Sequence, residues 1–307
     1  MKNIQPYRIK TISEYHQIKG LPKPEHPLVS VIYLDETQQL TATQKTWVFD
    51  FYSIALKRNF DSKVKYKYGQ QTYDFDEGVM FFGAPGQVLK IQPNGNSTAK
   101  RSGWMLLVHT DFFWNTALAK TIKQYEFFGY SVNEALWLSK KEEATVNNII
   151  QNIQQEYHSN IDKFSKQIII SHIEALLNYS DRFYNRQFIT RDKSSHQIIE
   201  RLEELLTEHF NRENLVTKGL PTVQNIAQAL NLSPGYLRSL LKVLTGQNTQ
   251  QHIHNKLIEK AKEKLSTSDM SISEIAYQLG FEHLQSFSKL FKTKTNLSPL
   301  EFRQSFN

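Results

Sequence analysis

Between residues 28 and 110 the apolar side chains fall in short runs broken by turn residues. Val29, Val31 and Tyr33 alternate with Leu28, Ser30 and Ile32, and residues 47–56 (WVFDFYSIAL) form a longer β-prone run. Shorter pieces follow at 64–68, 71–75, 79–82, 87–91 and 103–109, separated by Gly69-Gln70, Asp76-Glu77-Gly78, Pro85-Gly86 and Asn94-Gly95-Asn96. Many short strands with turn signals between them predict a sandwich or barrel.

From about residue 139 the apolar period lengthens to that of a helix. Residues 140–158 carry Ala144, Ile149, Ile150, Ile153 and Tyr157. Residues 161–184 carry Phe164, Ile168, Ile169, Ile173, Leu176 and Leu177. The short break at Ser159-Asn160 suits an antiparallel pair. A polar, charged stretch at 185–195 reads as a linker, and a helix over 196–210 opens the C-terminal part with Ile198, Ile199, Leu202, Leu205, Leu206 and Phe210.

The C-terminal part holds an internal repeat. Residues 222–246 read TVQNIAQALNLSPGYLRSLLKVLTG, and residues 271–303 read SISEIAYQLGFEHLQSFSKLFKTKTNLSPLEFR. Ala227 and Leu230 recur as Ala276 and Leu279, and Lys242 recurs as Lys292. Each copy reads as helix, tight turn, helix, the geometry that presents one helix to the major groove of DNA. In the second copy Ser271 and Glu274 form a capping box, Gly280 stops the first helix, and Ser298-Pro299 with Glu301 starts a final one. In the first copy Asn231 takes the place of Gly280, and Ser233-Pro234 caps the second helix. Between the copies a helix of about residues 249–265 turns Ile253, Leu257, Ile258, Ala261 and Leu265 to one side. Its reach of ~24 Å suits two reading helices near the ~34 Å spacing of successive major-groove faces.

Composition changes this picture little. A chain of 307 residues is long enough for about two domains. The absence of cysteine removes disulfides, thiolate zinc sites and cysteine catalysis, and agrees with a reducing cytoplasm. The N-terminus lacks a signal-peptide core and no apolar run reaches membrane-spanning length, so a cytoplasmic location is expected. The formal charge of +7 permits a polyanion partner. Residues 212–307 are net +5, but extending back to 194 leaves +2, so placement on particular helices matters more than the total.

The repeat over 222–303 resembles the DNA-binding domain of AraC/XylS-type bacterial transcription regulators. The features are IA..L.LS...L...LK..TG in the first copy and SISEIA..LGF....FSK.FK....LSP..FR in the second. The upstream region is similar to the cupin-like regulatory domain of that family, through Asp50-Phe51-Tyr52 and Gly78 to Pro85-Gly86-Gln87. The expected fold is therefore multidomain α+β: an N-terminal cupin-like β-barrel or sandwich with following helices, then an all-α domain with two helix-turn-helix motifs. The expected boundaries are a regulatory domain at 1–138, a dimerising helical pair at 139–185, a linker at 186–195 and the DNA-binding domain at 196–307. The resemblance implies double-stranded DNA as partner, a homodimer, and RNA polymerase and a small-molecule effector as further partners. Two departures stand out. Asn296 replaces a usual glycine, and Lys256-Leu257-Ile258 stands where many members carry an arginine.

In the first reading helix Leu237, Leu240, Leu241 and Leu244 must face the core. The candidate DNA-facing residues are Gly235, Tyr236, Arg238, Ser239 and Lys242 there, and His283, Gln285, Ser288, Lys289 and Lys292 in the second. Arginine and lysine suit guanine or phosphate, and glutamine suits adenine. Lys292 and Arg303 suit phosphate or structure. The alternative for any of these residues is a solvated helix face.

An enzyme reading, a metal-dependent cupin fused to the DNA-binding domain, needs a His-x-His set. The strand region has none, with His26 and His109 standing alone, while His252/His254 and His172/Glu174 fall on different sides of a helix. No catalytic residues, cofactor or metal ligands are assigned. The four tryptophans Trp47, Trp104, Trp114 and Trp137 all lie in the N-terminal region. Trp47, Phe49 and Phe51 are the ligand-pocket candidates, with core packing as the alternative. Two further readings stay open for this region: a domain that only dimerises, and one that answers to a protein partner.

Overall fold

The structure is a computed structural model that describes residues 7–35, 45–58, 78–91, 102–131, 134–159, 162–190, 192–211 and 219–305. The expected strands at 64–68 and 71–75, and the Asn94-Gly95-Asn96 turn, lie outside these residues. The chain divides into two compact units, Met1–Gln187 and Phe188–Asn307. The first is mixed α+β and the second, among its described residues, is helical.

In the first unit β1 (Tyr7–Ile9), β3 (Lys45–Phe49) and β6 (Val88–Ile91) form one sheet in the order β1-β3-β6. A second sheet runs β2-β7-β4-β5-β8, from β2 (Val29–Tyr33), β4 (Phe51–Arg58), β5 (Val79–Gly83), β7 (Ser102–His109) and β8 (Leu136–Trp137). β4 pairs antiparallel with β7 along its length, Phe51 opposite His109 and Arg58 opposite Ser102. Gly103 makes this pairing possible, because its φ is +120° and a Cβ there would lie 2.1 Å from Leu56 O.

The expected strand over 47–56 is two strands. The bend at Asp50 ends β3, and β4 continues into the other sheet. Arg8 holds that corner through Asp50 at 2.8 Å. The sequence reading also left out β1 and helix α1 (Ile12–Lys19), whose Ile9, Ile12 and Tyr15 pack with Ile32, Trp47, Phe49, Phe51 and Leu107.

Past the short helix α2 (Leu118–Thr121), helix α3 (Lys140–His158) opens on a Ser139/Glu142 capping box. It buries Val146, Ile149, Ile150, Ile153 and Tyr157, whereas Ala144 is exposed rather than inward. Polar pins fix it to the second sheet. The Tyr157 hydroxyl accepts from Val31 N at 3.1 Å, and Trp104 Nε1 donates to Asn147 Oδ1 at 2.8 Å. Burial pushes the Tyr157 phenol up to about 12.

Helix α4 (Ser165–Thr190) is longer than the pattern implied, and α5 (Asp192–Asn211) starts at once after it. The stretch expected as a linker at 186–195 is therefore helical at its described positions. Its polarity has a structural reason: near the end of α4, Gln187 is buried, accepts from Trp137 N at 2.8 Å and donates to Ala135 O at 3.2 Å. Arg186 forks onto Glu142 at 3.0 and 2.8 Å. Phe164 and Ile168, expected to face inward, are exposed.

The second unit continues with α6 (Val223–Ala229), α7 (Pro234–Thr245), α8 (Thr249–Thr267), α9 (Ile272–Gln278), α10 (Leu284–Thr295) and α11 (Pro299–Gln304). Helix α8 is the hub and touches α5, α7, α9, α10 and α11. Its 19 residues give it a length of about 28 Å. Ile253, Leu257, Ile258, Ala261 and Leu265 are all buried, the face the apolar period marks.

Candidate nucleic-acid interface

The two copies of the repeat fold alike because the same local devices recur. α7 and α10 each have 12 residues and begin fifty positions apart. The turn before α7 has Asn231 at φ +57°, and the turn before α10 has Gly280 at φ +86°. Gly280 has a second constraint, since a Cβ would lie 3.1 Å from Gly219 C and 3.2 Å from Leu220 N. α7 ends at Gly246 and α10 at Asn296, both left-handed, so asparagine fills the glycine's place without a change of backbone. Near each end a threonine hydroxyl, Thr245 or Thr295, donates to the carbonyl four residues back at 2.8 Å.

The starts of the helices match the sequence signals. Thr222 caps α6 and Ser233 caps α7, with Pro234 in its first turn. Ser271 and Glu274 form the capping box of α9, and Ser298 and Glu301 that of α11. Hydrogen bonds from serine hydroxyl and backbone N–H hold the Glu274 carboxyl below the usual range, and those of Ser298 do the same for Glu301. His283, before α10, makes no side-chain cap.

Burial sorts the candidate residues. In α7 Leu237, Leu240 and Leu241 are buried, and Leu244 is half-buried. Arg238 and Lys242 are exposed on the opposite side, with Gly235 and Ser239 partly so. Tyr236 must be withdrawn from the DNA-facing set. It is 3% exposed, and its ring meets Phe188 edge-on at 5.1 Å. Position 236 lies beside Leu237 on the inward side of the helix.

In α10 Phe287 and Phe291 are buried in a ring ladder that runs Phe281, Phe287, Phe291, Phe302 with centroid spacings of 5.4, 5.8 and 5.4 Å. His283, Gln285, Lys289 and Lys292 are exposed and Ser288 is half-buried. The structure also exposes Leu284, Ser286 and Lys294, which the sequence reading passed over. Lys294 Nζ donates to Asn255 Oδ1 at 3.2 Å and ties α10 to α8.

Lysines on α8 are engaged within the unit. Lys256 pairs with Glu259 at 3.2 Å, Lys260 with Glu263 at 2.8 Å, and Lys264 donates to Gln278 at 2.8 Å. Arg303 donates to Leu265 O at 3.3 Å, which gives it a structural task at the C-terminus of α8. His252 and His254 point to different partners, Thr245 at 2.9 Å and Gln250 at 2.8 Å. Burial, then Lys294, lowers the pKa of His254.

In the first unit, Trp47, Phe49 and Phe51 do come together, but as packed core. Phe49 and Phe51 stack at 5.1 Å, and Tyr15 meets both edge-on. An open depression of about 550 Å³ lies elsewhere, at Thr110, Trp114, Asn115, Thr116 and Lys120. Trp104 is buried, whereas Trp114 is 78% exposed.

Residues 226–305 match a family model described as a helix-turn-helix domain. Over 105 residues the chain is 35% identical to the raffinose operon transcriptional regulatory protein RafR of Pediococcus pentosaceus, covering 32% of this chain and 37% of that protein. Over 99 residues it is 35% identical to the HTH-type transcriptional activator RhaS of Salmonella schwarzengrund (strain CVM19633), covering 32% of this chain and 33% of that protein. The solved C-terminal domain of the two-component response regulator yesN from Fusobacterium nucleatum is 30% identical, with 34% of this chain and 95% of that chain covered and a TM-score of 0.30. The chain spans about a third of the length of these curated relatives.

Proposed function

We propose that this chain, whose C-terminal region is an AraC-type helix-turn-helix domain, is a sequence-specific DNA-binding transcription regulator. The observation that carries the reading is the pair of equivalent helices, α7 and α10, with buried inner faces and basic or amide side chains outward. Double-stranded DNA is the partner, entered in adjacent major-groove segments. Arg238, Ser239 and Lys242 on α7 face it, with Gln285, Ser288, Lys289 and Lys292 on α10. Relatives matched over about a third of the chain are named as transcription regulators, so an enzyme reading is set aside.

The first unit serves as a cupin-like regulatory and dimerising part in this reading, with RNA polymerase and a small effector as further partners. Its two sheets support the likeness, and the exposed Ile168 and Tyr179 of α4, with Phe164 just before it, support a face shared between two copies. Selection from random duplex DNA with the full chain tests the central reading. One enriched sequence should emerge, and its affinity should fall steeply between 50 and 200 mM salt, roughly as phosphate contacts dictate. Recovery of no preferred sequence would refute it.

A further inference from the structure

The two reading helices differ in their first turns. With the helices aligned by their starts, Pro234, Gly235 and Tyr236 of α7 correspond to Leu284, Gln285 and Ser286 of α10. In α7 this turn offers proline, glycine and a buried tyrosine. No long side chain there is placed to reach a base. At the start of α10, residues 282–286 are exposed without interruption, and a leucine stands at the first helical position with 38% of its surface open. A single exposed leucine is ordinary on a protein surface. This one is set apart by its place, because the N-terminal residues of a reading helix are those that meet base edges. It is also set apart by its neighbour, since Gln285 carries the amide that pairs with adenine N6 and N7.

We infer that Leu284 reads a thymine through its 5-methyl group, beside an adenine contacted by Gln285. The methyl is the one apolar group displayed in the major groove, and an aliphatic side chain is its natural complement. More than a third of this residue is open to water in the free protein. Docking onto the methyl buries apolar surface on both sides and breaks no contact of the core residues Phe287 and Phe291. α10 is accordingly the principal base-reading helix, and α7 contributes mainly through Arg238, Ser239 and Lys242 further along its length.

This inference rests on the DNA-binding reading, and one experiment separates the two. Duplexes enriched from a random pool by the full chain serve as the probe. Each thymine in the segment protected by the second motif is replaced singly by deoxyuridine, which removes only the methyl. The wild type should lose about fourfold in affinity at one position, the value of one buried methylene-sized group. Leu284→Ala and Leu284→Ser should be indifferent to that replacement, whereas Leu284→Met should keep the loss. A wild type that tolerates deoxyuridine throughout, or variants that lose as much as the wild type, overturns the inference and leaves the DNA-binding reading standing. Failure to enrich any sequence overturns both.

Discussion

At the scale of single residues, the candidate side chains of the second unit divide into those proposed to meet DNA and those that hold the domain together. Arg238 and Lys289 belong to the first group, and Arg238→Ala and Lys289→Ala should each weaken specific binding by about 1–3 kcal/mol, measured by titration against the selected duplex. Unchanged affinity in both would remove these assignments. Tyr236 and Arg303 belong to the second group. Tyr236 packs on Phe188, and Arg303 bonds a free carbonyl at the end of α8. Gly280 has a purely conformational task. Gly280→Ala puts a Cβ into a left-handed turn and against the Gly219–Leu220 backbone, and should cost about 1–2 kcal/mol in chemical denaturation. Asn296→Gly, at a left-handed position that asparagine already accepts, should cost nothing measurable.

At the scale of elements, the C-terminal helices were legible because their signals are local. A serine cap, a glutamate three residues on, an apolar period and a glycine or asparagine stop each act within a turn or two. Those signals set both ends of α8 to within two residues and placed the starts of α9 and α11. The same boxes make a prediction about pH. Glu274 and Glu301 have depressed pKa values when folded, so their contribution is present above the unfolded carboxylate value and is lost as pH falls through the folded one. Stability of the wild type should therefore decline on acidification below the ordinary glutamate range. Glu274→Gln with Glu301→Gln should flatten that decline in thermal melts taken across the acid range. An identical decline in the double variant would contradict the assignment.

Elements of the first unit were read less well for an equally physical reason. The run 47–56 has no glycine or proline to announce a break, yet Arg8 and the sheet change at Asp50 divide it. That partner comes from 42 residues away, beyond the reach of any local pattern. The polar stretch after residue 185 suggested a linker, but Gln187 and Arg186 are polar because they bond β8 and Glu142. Trp47, Phe49 and Phe51 were recognisable as a cluster, though not as one closed over by α1.

At the scale of the whole molecule, the fold joins a mixed α+β unit to a helical unit, and net charge proved a poor guide to either. Lys256, Lys260 and Lys264 of α8 add to the formal charge while bonding Glu259, Glu263 and Gln278. What distinguishes the second unit is repetition: two helices of equal length, each ending on a left-handed residue and backed by its own apolar face, on opposite ends of the sequence that α8 spans. A single helix-turn-helix would read one major-groove segment, and this pair should read two. Hydroxyl-radical footprinting of the full chain on its selected duplex tests that directly. Two protected segments per chain should appear on one face of the duplex, about one helical turn apart, with protection of the second weakened by Lys289→Ala and of the first by Arg238→Ala. A single protected segment, or protection unaffected by either substitution, would contradict it.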